Sequence, residues 1–263
     1  LNRFDIKGQK AIVTDGTRGL GHGMAEGLLE EGCEVVIVGS SEGVHRVAEE
    51  FHSRGFACHG VQADLGSREQ TLACFRSCME LLGGDLDILV NAHGIQRRHQ
   101  PEEFPLSDWD DVISVNLSSV FVLCQEAGRV MLPKGRGKII NIASMISFFG
   151  GQTIPAYAAS KGGVAQLTKA LSNDWAGKGI QINAIAPGYM ATDMNTALMD
   201  PANPRYQQIT DRIPAHRWGT SDDMKGICVF LASPASDYIT GAVIPVDGGY
   251  LVKIEPMKHN VGS

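Results

Sequence analysis

Short apolar runs alternate with longer segments of helical period along the whole chain. The runs are "KAIVT", "EVVIVG", "FACHGVQADL", "LDILVNA", "GKIINIAS", "IQINAIAPG" and "AVIPVDGG". Most show no polar alternation, as expected of strands buried on both faces. Between them lie a segment through Met24, Leu28 and Leu29, then "HRVAEEFHSR" and "REQTLACFRSCMELL". The long amphipathic stretch "LSDWDDVISVNLSSVFVLCQEAGRVML", "YAASKGGVAQLTKALSNDWAG" and the capped segment "SDDMKGICVFLAS" complete the set. Strands and helices in alternation predict an α/β fold, a doubly wound Rossmann-type domain with a parallel sheet. No repeat, low-complexity tract or linker divides the chain, so one domain is expected over residues 1–263. Thr192 to Trp218 reads differently: polar, proline-punctuated and irregular. An excursion of that length in a compact domain is expected to be a substrate lid.

Composition narrows the class. Of 263 residues, 43% are hydrophobic and 20% charged, which suits a globular protein. A net charge of -6 argues against a nucleic-acid footprint and against adhesion to an anionic membrane. The apolar runs are too short to span a bilayer, and "LNRFDIKGQK" lacks the apolar core of a signal peptide. Six scattered cysteines read as buried free thiols, so a reduced, cytoplasmic protein with no metal site is expected.

The chemistry begins at "AIVTDGTRGLG", a strand running into a glycine-rich turn and a helix. Gly16, Gly19 and Gly21 let the backbone approach phosphate oxygens, and the helix opening near Leu20 offers unpaired N–H groups. The alternative is a tight strand–helix turn with no ligand. Tyr157 and Lys161, in "YAASK", are four apart and share one helix face. A nearby ammonium favours phenolate over phenol; a shift of about three units from a pKa of about 10 takes roughly 4 kcal/mol. Such a tyrosine serves as acid for carbonyl reduction or base for alcohol oxidation. Ser144 ends a strand at the sheet edge where α/β proteins bind ligands. Asn116 lies mid-helix, where it can hold a kink or a water that passes protons to Lys161.

These residues resemble the short-chain dehydrogenase/reductase family, whose cofactor loop reads T-G-x-x-x-G-x-G. Thr14, Gly19 and Gly21 match it, while Asp15 replaces a glycine. Aspartate tolerates a left-handed backbone, so the turn is expected to survive. Asn116, Ser144, Tyr157 and Lys161 match the family's catalytic set one by one. The resemblance implies a nicotinamide cofactor held by residues 14–21 (Thr17, Arg18 and Leu20 included), by Gly39 and Ser40, and by Asp64 and Leu65 at the adenine. It further implies Asn91, Ala92 and Gly94, the nicotinamide segment Pro187, Gly188, Met190 and Thr192, and Tyr157 and Lys161 themselves. "NAHG" departs from the family's N-N-A-G at Ala92 and His93, and His93 reads as a packing residue.

The later segments resemble the family's sugar-acid branch, which implies a hexonate substrate and a homotetramer. Arg97, Arg98 and Arg217 are the candidates for its carboxylate, with one of the adjacent pair reaching the site. Arg217 could equally hold the lid to its own backbone. NAD(H) is the expected cofactor and NADP(H) the alternative, because Asp15 would oppose a 2′-phosphate that Arg18 would favour. The competing readings are a family member acting on a 3-ketoacyl thioester or steroid, and a non-catalytic nucleotide-binding protein of the same fold.

Overall fold

The computed structural model describes residues 2–200 and 202–254; residues 1, 201 and 255–263 of the expected 1–263 domain lie outside them. Seven parallel strands form one sheet in the order β3-β2-β1-β4-β5-β6-β7. They are β1 (Lys10–Thr14), β2 (Glu34–Gly39), β3 (Cys58–Gln62), β4 (Ile88–Asn91), β5 (Gly137–Ile142), β6 (Ile180–Pro187) and β7 (Val243–Val246). Successive side chains on a strand point to opposite faces, and the core divides accordingly. Val13 and Ile37 pack with Met24, Leu28, Phe51 and Leu231 on one side. Ile12, Val36 and Leu89 pack with Phe75, Leu123 and Val164 on the other. The first layer is made by α1 (Gly19–Glu30), α2 (Gly43–Ser53) and α9 (Lys225–Ala232), the second by α3 (Arg68–Leu81), α5 (Ser119–Lys134) and α6 (Pro155–Trp175). The chain reverses direction across the sheet between β1 and β4, and such a reversal opens a crevice at the strands' carboxyl ends.

Three local expectations change. The long stretch is not one regular helix: α4 (Leu106–Ile113) runs into a π turn, Ser114–Ser118, before α5. Asn116 sits in that wider turn, where one extra residue per turn aims its amide out of the regular ladder. The segment after β6 is not irregular, since it folds into α7 (Thr196–Met199) and α8 (Pro204–Arg212). Ile209, Ile213 and Trp218 bury a small core of their own with Met145 and Tyr250, a spacing hidden among polar residues. Ser221 makes no side-chain cap at the start of the helical segment that leads into α9. Asp223 does the capping work instead, accepting from the Thr220 N–H at 2.8 Å. Among the described residues no helix is long and apolar enough to cross a membrane.

Candidate active site

Two cavities meet at the carboxyl edge of the sheet. The first, about 450 Å³, runs from Asp15, Arg18, Gly19 and Leu20 past Ala92 and Gly94 to Ser144, Tyr157 and Lys161. Pro187, Gly188, Met190 and Thr192 close its far wall. The second, about 430 Å³, shares Ser144, Tyr157 and Gly188 with it and extends under α8.

The glycine-rich turn is shaped to admit a phosphate. Gly19 has φ of 55°, a conformation that favours glycine. A Cβ on Gly21 would lie 2.2 Å from the Asp15 carbonyl oxygen, so α1 packs directly on the loop. Arg18, at the cap of α1, makes no side-chain cap bond, and the first turn carries no acidic residue. No side-chain cap meets the N–H groups of that turn, and its residues Gly19 and Leu20 line the cavity. Asp15 takes φ of 54°, the left-handed geometry expected of it. These features fit the pyrophosphate and nicotinamide half of a dinucleotide.

Tyr157 and Lys161 project from the first two turns of α6. The Lys161 ammonium donates to the Ile142 carbonyl oxygen at 2.7 Å and lies 5.8 Å from the centre of the Tyr157 ring. It sits beside the ring, with its hydrogen bond given to the backbone. Lys161 is only 4% exposed; burial lowers its pKa to about 8, with Asp15 opposing. Burial raises the Tyr157 pKa, while the Ser144 hydrogen bond and the charge of Arg98 pull it down. Ser144 Oγ accepts from the Ile146 N–H at 3.2 Å, which leaves its proton for the tyrosine oxygen. Asn116 Oδ1 accepts from Ile95 N at 2.8 Å, and its Nδ2 donates to the Ile95 carbonyl at 2.9 Å and to Ser160 Oγ at 3.1 Å. Asn116 and Lys161 come together across Gly94: a Cβ there would lie 3.4 Å from both Asn116 Oδ1 and Lys161 Nζ.

The fold and the glycine-rich loop can be compared with known proteins. Residues 16–251 match a family profile described as enoyl-(acyl carrier protein) reductase. The chain belongs to the short-chain dehydrogenase/reductase family. It is 45% identical to a 2-dehydro-3-deoxy-D-gluconate 5-dehydrogenase of Bacillus subtilis, over 94% of this chain and 96% of that one. Among solved structures it is similar to a putative 2-deoxy-D-gluconate 3-dehydrogenase of Agrobacterium tumefaciens with bound NADP, at TM-score 0.89 and 44% identity. That match covers 96% of this chain and 100% of the other. A gluconate 5-dehydrogenase of Burkholderia cenocepacia, in complex with NADP and tartrate, matches at TM-score 0.91 and 41% identity over 96% and 99%.

Against that family pattern, several expected contacts lie elsewhere. Asn91 does not face the cavity; its Nδ2 donates to Asn141 Oδ1 at 2.9 Å beneath the sheet. Thr14 is fully buried, and its hydroxyl ties β1 to β4 by accepting from Ala92 N at 2.9 Å. Gly16, Thr17 and Gly21 shape the turn from behind. A Cβ on Gly16 would lie 2.6 Å from Ile37 Cγ2, and one on Gly39 would lie 2.7 Å from Thr17 Cγ2. Gly39 ends β2 and Ser40 follows it on the same sheet edge, outside both cavities. Asp64 accepts from Gly66 N at 2.9 Å, and Leu65 is buried beside it. His93 is locked between Thr14 Oγ1 at 2.7 Å and Ser119 Oγ at 2.6 Å, a packing role as expected.

The arginines separate. Arg97 borders the first cavity and Arg98 the second. Arg217 reaches neither: Asp223 holds its guanidinium by two bonds, at 2.8 and 2.6 Å. Arg205 and Arg212 line the second cavity instead, and the Arg212 guanidinium lies 4.7 Å over the Tyr250 ring. Arg212 opens the motif "RIPAHRWG", so its presence was visible in the sequence. Its stacking on Tyr250 was not, because that contact joins distant parts of the chain.

Proposed function

We propose that this chain is a nicotinamide-dependent oxidoreductase interconverting a secondary alcohol and a ketone on a hexonate sugar acid such as 2-keto-3-deoxygluconate or gluconate. One observation carries the substrate class. Arg98, Arg205 and Arg212 line a cavity that reaches Ser144 and Tyr157, and guanidinium forks bind carboxylates with paired charge-assisted bonds. A steroid or acyl chain would meet the apolar part of that wall, Ile146, Phe149 and Leu198, but would offer no anion to the three cations. The names of the similar dehydrogenases support the same class.

The nicotinamide, when bound, supplies or removes the hydride. The chain's residues do the rest. Ser144 holds the substrate oxygen, and Tyr157 gives it the proton on reduction or takes it on oxidation. With its pKa raised in the free protein, the phenol stays protonated, the form that ketone reduction needs. Lys161 holds the ribose and favours phenolate through its charge. The expected cofactor contacts serve as the lining or the frame of the first cavity, and residues 192–218 serve as the lid over the second.

NAD(H) is the preferred cofactor in this reading. No cation stands at the end of β2 among Gly39, Ser40, Ser41 and Glu42, where NADP-specific relatives place one to meet a 2′-phosphate. The enzyme is a cytoplasmic homotetramer. All six cysteines are buried free thiols, suited to a reducing compartment. Leu106, Trp109 and Phe121 along α4 and α5, and Val252 after β7, leave apolar surface for partner subunits. Steady-state kinetics with NADH and NADPH on keto-hexonates and on uncharged ketoses test the assignment. Reduction of hexonates with NADH, abolished in Tyr157→Phe while NADH still binds, is the expected result. Equal rates on uncharged ketoses, or near-normal turnover in Tyr157→Phe, would sink it.

A further inference from the structure

The loop after β1 carries an acid where the cavity needs room for an anion. Asp15 lines the first cavity together with Gly19, at the foot of the uncapped turn of α1. That turn attracts anions, because its unpaired N–H groups carry the positive end of the helix dipole. A dinucleotide pyrophosphate and an ionised Asp15 therefore compete for the same positive ground.

Three charged groups face Asp15, one from each element around it: Arg18 from its own loop, Asp193 from the segment after β6, and Lys161 from α6. None neutralises it fully. Arg18 leans toward Asp193, 3.8 Å away, and the Lys161 ammonium is committed to the Ile142 carbonyl. Burial is the largest influence on the carboxyl and raises its pKa to about 6; Asp193 adds to the rise, and Arg18 and Lys161 oppose it. From the sequence alone, Asp15 is expected to oppose a 2′-phosphate at the adenosine end. It lines the same cavity as Tyr157, Lys161 and Asp193, and Gly39 and Ser40 do not.

We propose that Asp15 receives the cofactor as a neutral acid, so that dinucleotide binding draws one proton onto its carboxyl. A neutral carboxyl removes the like-charge conflict and adds an O–H donor for a phosphate oxygen. The proposal rests on the reading that this cavity holds a nicotinamide dinucleotide. Linkage then sets the sign. A group that is protonated in the complex and ionised in the free protein weakens binding as pH rises above its free pKa, by up to about tenfold per pH unit. Lys161, with a pKa of about 8, bounds the clean window from above. His93 stays out of it, with a pKa of about 3.

The test is direct binding, without substrate. NADH and NADPH are titrated by fluorescence into the wild type, Asp15→Asn and Asp15→Gly at pH 5.5, 6.5 and 7.5. Asparagine and glycine both accept the left-handed backbone at this position. The wild-type Kd should rise about tenfold from pH 6.5 to 7.5 and less below that, while both variants stay flat and bind more tightly at pH 7.5. Calorimetry at pH 7 in two buffers of different ionisation enthalpy should show proton uptake by the wild type alone. A wild-type Kd that is flat across the range, or a slope shared by the variants, overturns the role of Asp15 while leaving the cofactor reading intact. Failure of the folded wild type to bind either dinucleotide at any pH overturns both.

Discussion

Asn116 and Ile95 hold each other by two hydrogen bonds, the side-chain amide of one against the backbone N–H and carbonyl of the other. The same amide reaches Ser160 Oγ, which donates to the Tyr157 carbonyl oxygen at 2.8 Å. One buried side chain in a π turn thus joins the loop carrying Arg97 and Arg98 to the helix carrying Tyr157. Asn116→Ala leaves both Ile95 groups without their partner, at about 1 to 3 kcal/mol each. A lower melting temperature is expected, together with at least a tenfold fall in kcat and retained NADH binding. Unchanged kcat in a folded variant would remove Asn116 from the machinery.

Lys161 costs the fold stability. It is a base whose pKa is lower in the folded chain, about 8, than its ordinary value of 10.5. Such a base destabilises the fold wherever it is charged in both states, and the penalty fades as pH rises from 8 to above 10. Lys161→Met removes the buried charge and forfeits the bond to Ile142. A net gain of about 1 to 2 kcal/mol at pH 7 corresponds to a rise of roughly 2 to 8 °C. Thermal melts at pH 7 and pH 10 should show that gain shrinking at the higher pH, with turnover lost throughout. A variant that melts lower than the wild type at pH 7 contradicts this account.

Arg212 and Arg217 differ in what they touch. Arg212 stacks on Tyr250 and lines the second cavity, whereas Arg217 is spent on Asp223. Loss of a charge-assisted bond costs about 1.5 to 3 kcal/mol, or roughly 10- to 150-fold in kcat/KM. Arg98→Met and Arg212→Met should each lose that much on a hexonate and far less on an uncharged ketose. Arg217→Met should stay within about threefold on both. The reverse ranking, read from kcat/KM on the two substrates, would move the carboxylate to the other arginine.

His93 should make the protein acid-sensitive. Burial lowers its pKa to about 3, and the charge of Lys161 adds to the effect. The folded chain therefore binds this proton less well than the unfolded chain. Stability is complete above pH 6.5 and falls as pH drops toward 3, by up to about 1.4 kcal/mol per unit. His93→Ala leaves the Thr14 and Ser119 hydroxyls without it and opens a void, so it should melt lower at pH 7. Its melting temperature should then fall less steeply than that of the wild type between pH 7 and 4.5. Parallel pH profiles would show that another group governs the acid limb.

Much of the site was legible because its signals are local. A glycine-rich turn, a tyrosine and a lysine one helical turn apart, and a strand-end serine each follow from backbone geometry over a few residues. Arg212 against Arg217 was not legible. Both lie in one short polar motif, and neither propensity nor spacing tells which guanidinium meets an aspartate six residues on and which meets a tyrosine from the end of the sheet.

By itself the sequence determined the strands and the burial of the inner ones, since continuous apolar runs need a sheet covered on both faces, whereas the edge strands β3 and β7 stay only partly buried. It determined the left-handed turn at Asp15 and the shared face of Tyr157 and Lys161, because both are matters of neighbouring dihedrals. Only the tertiary structure decided that Asn91 turns beneath the sheet, that Asn116 clasps Ile95 from a π turn, and that α8 closes over Tyr250. Each of those depends on what packs opposite, and burial, charge and hydrogen-bond partners are set by residues far away in the chain.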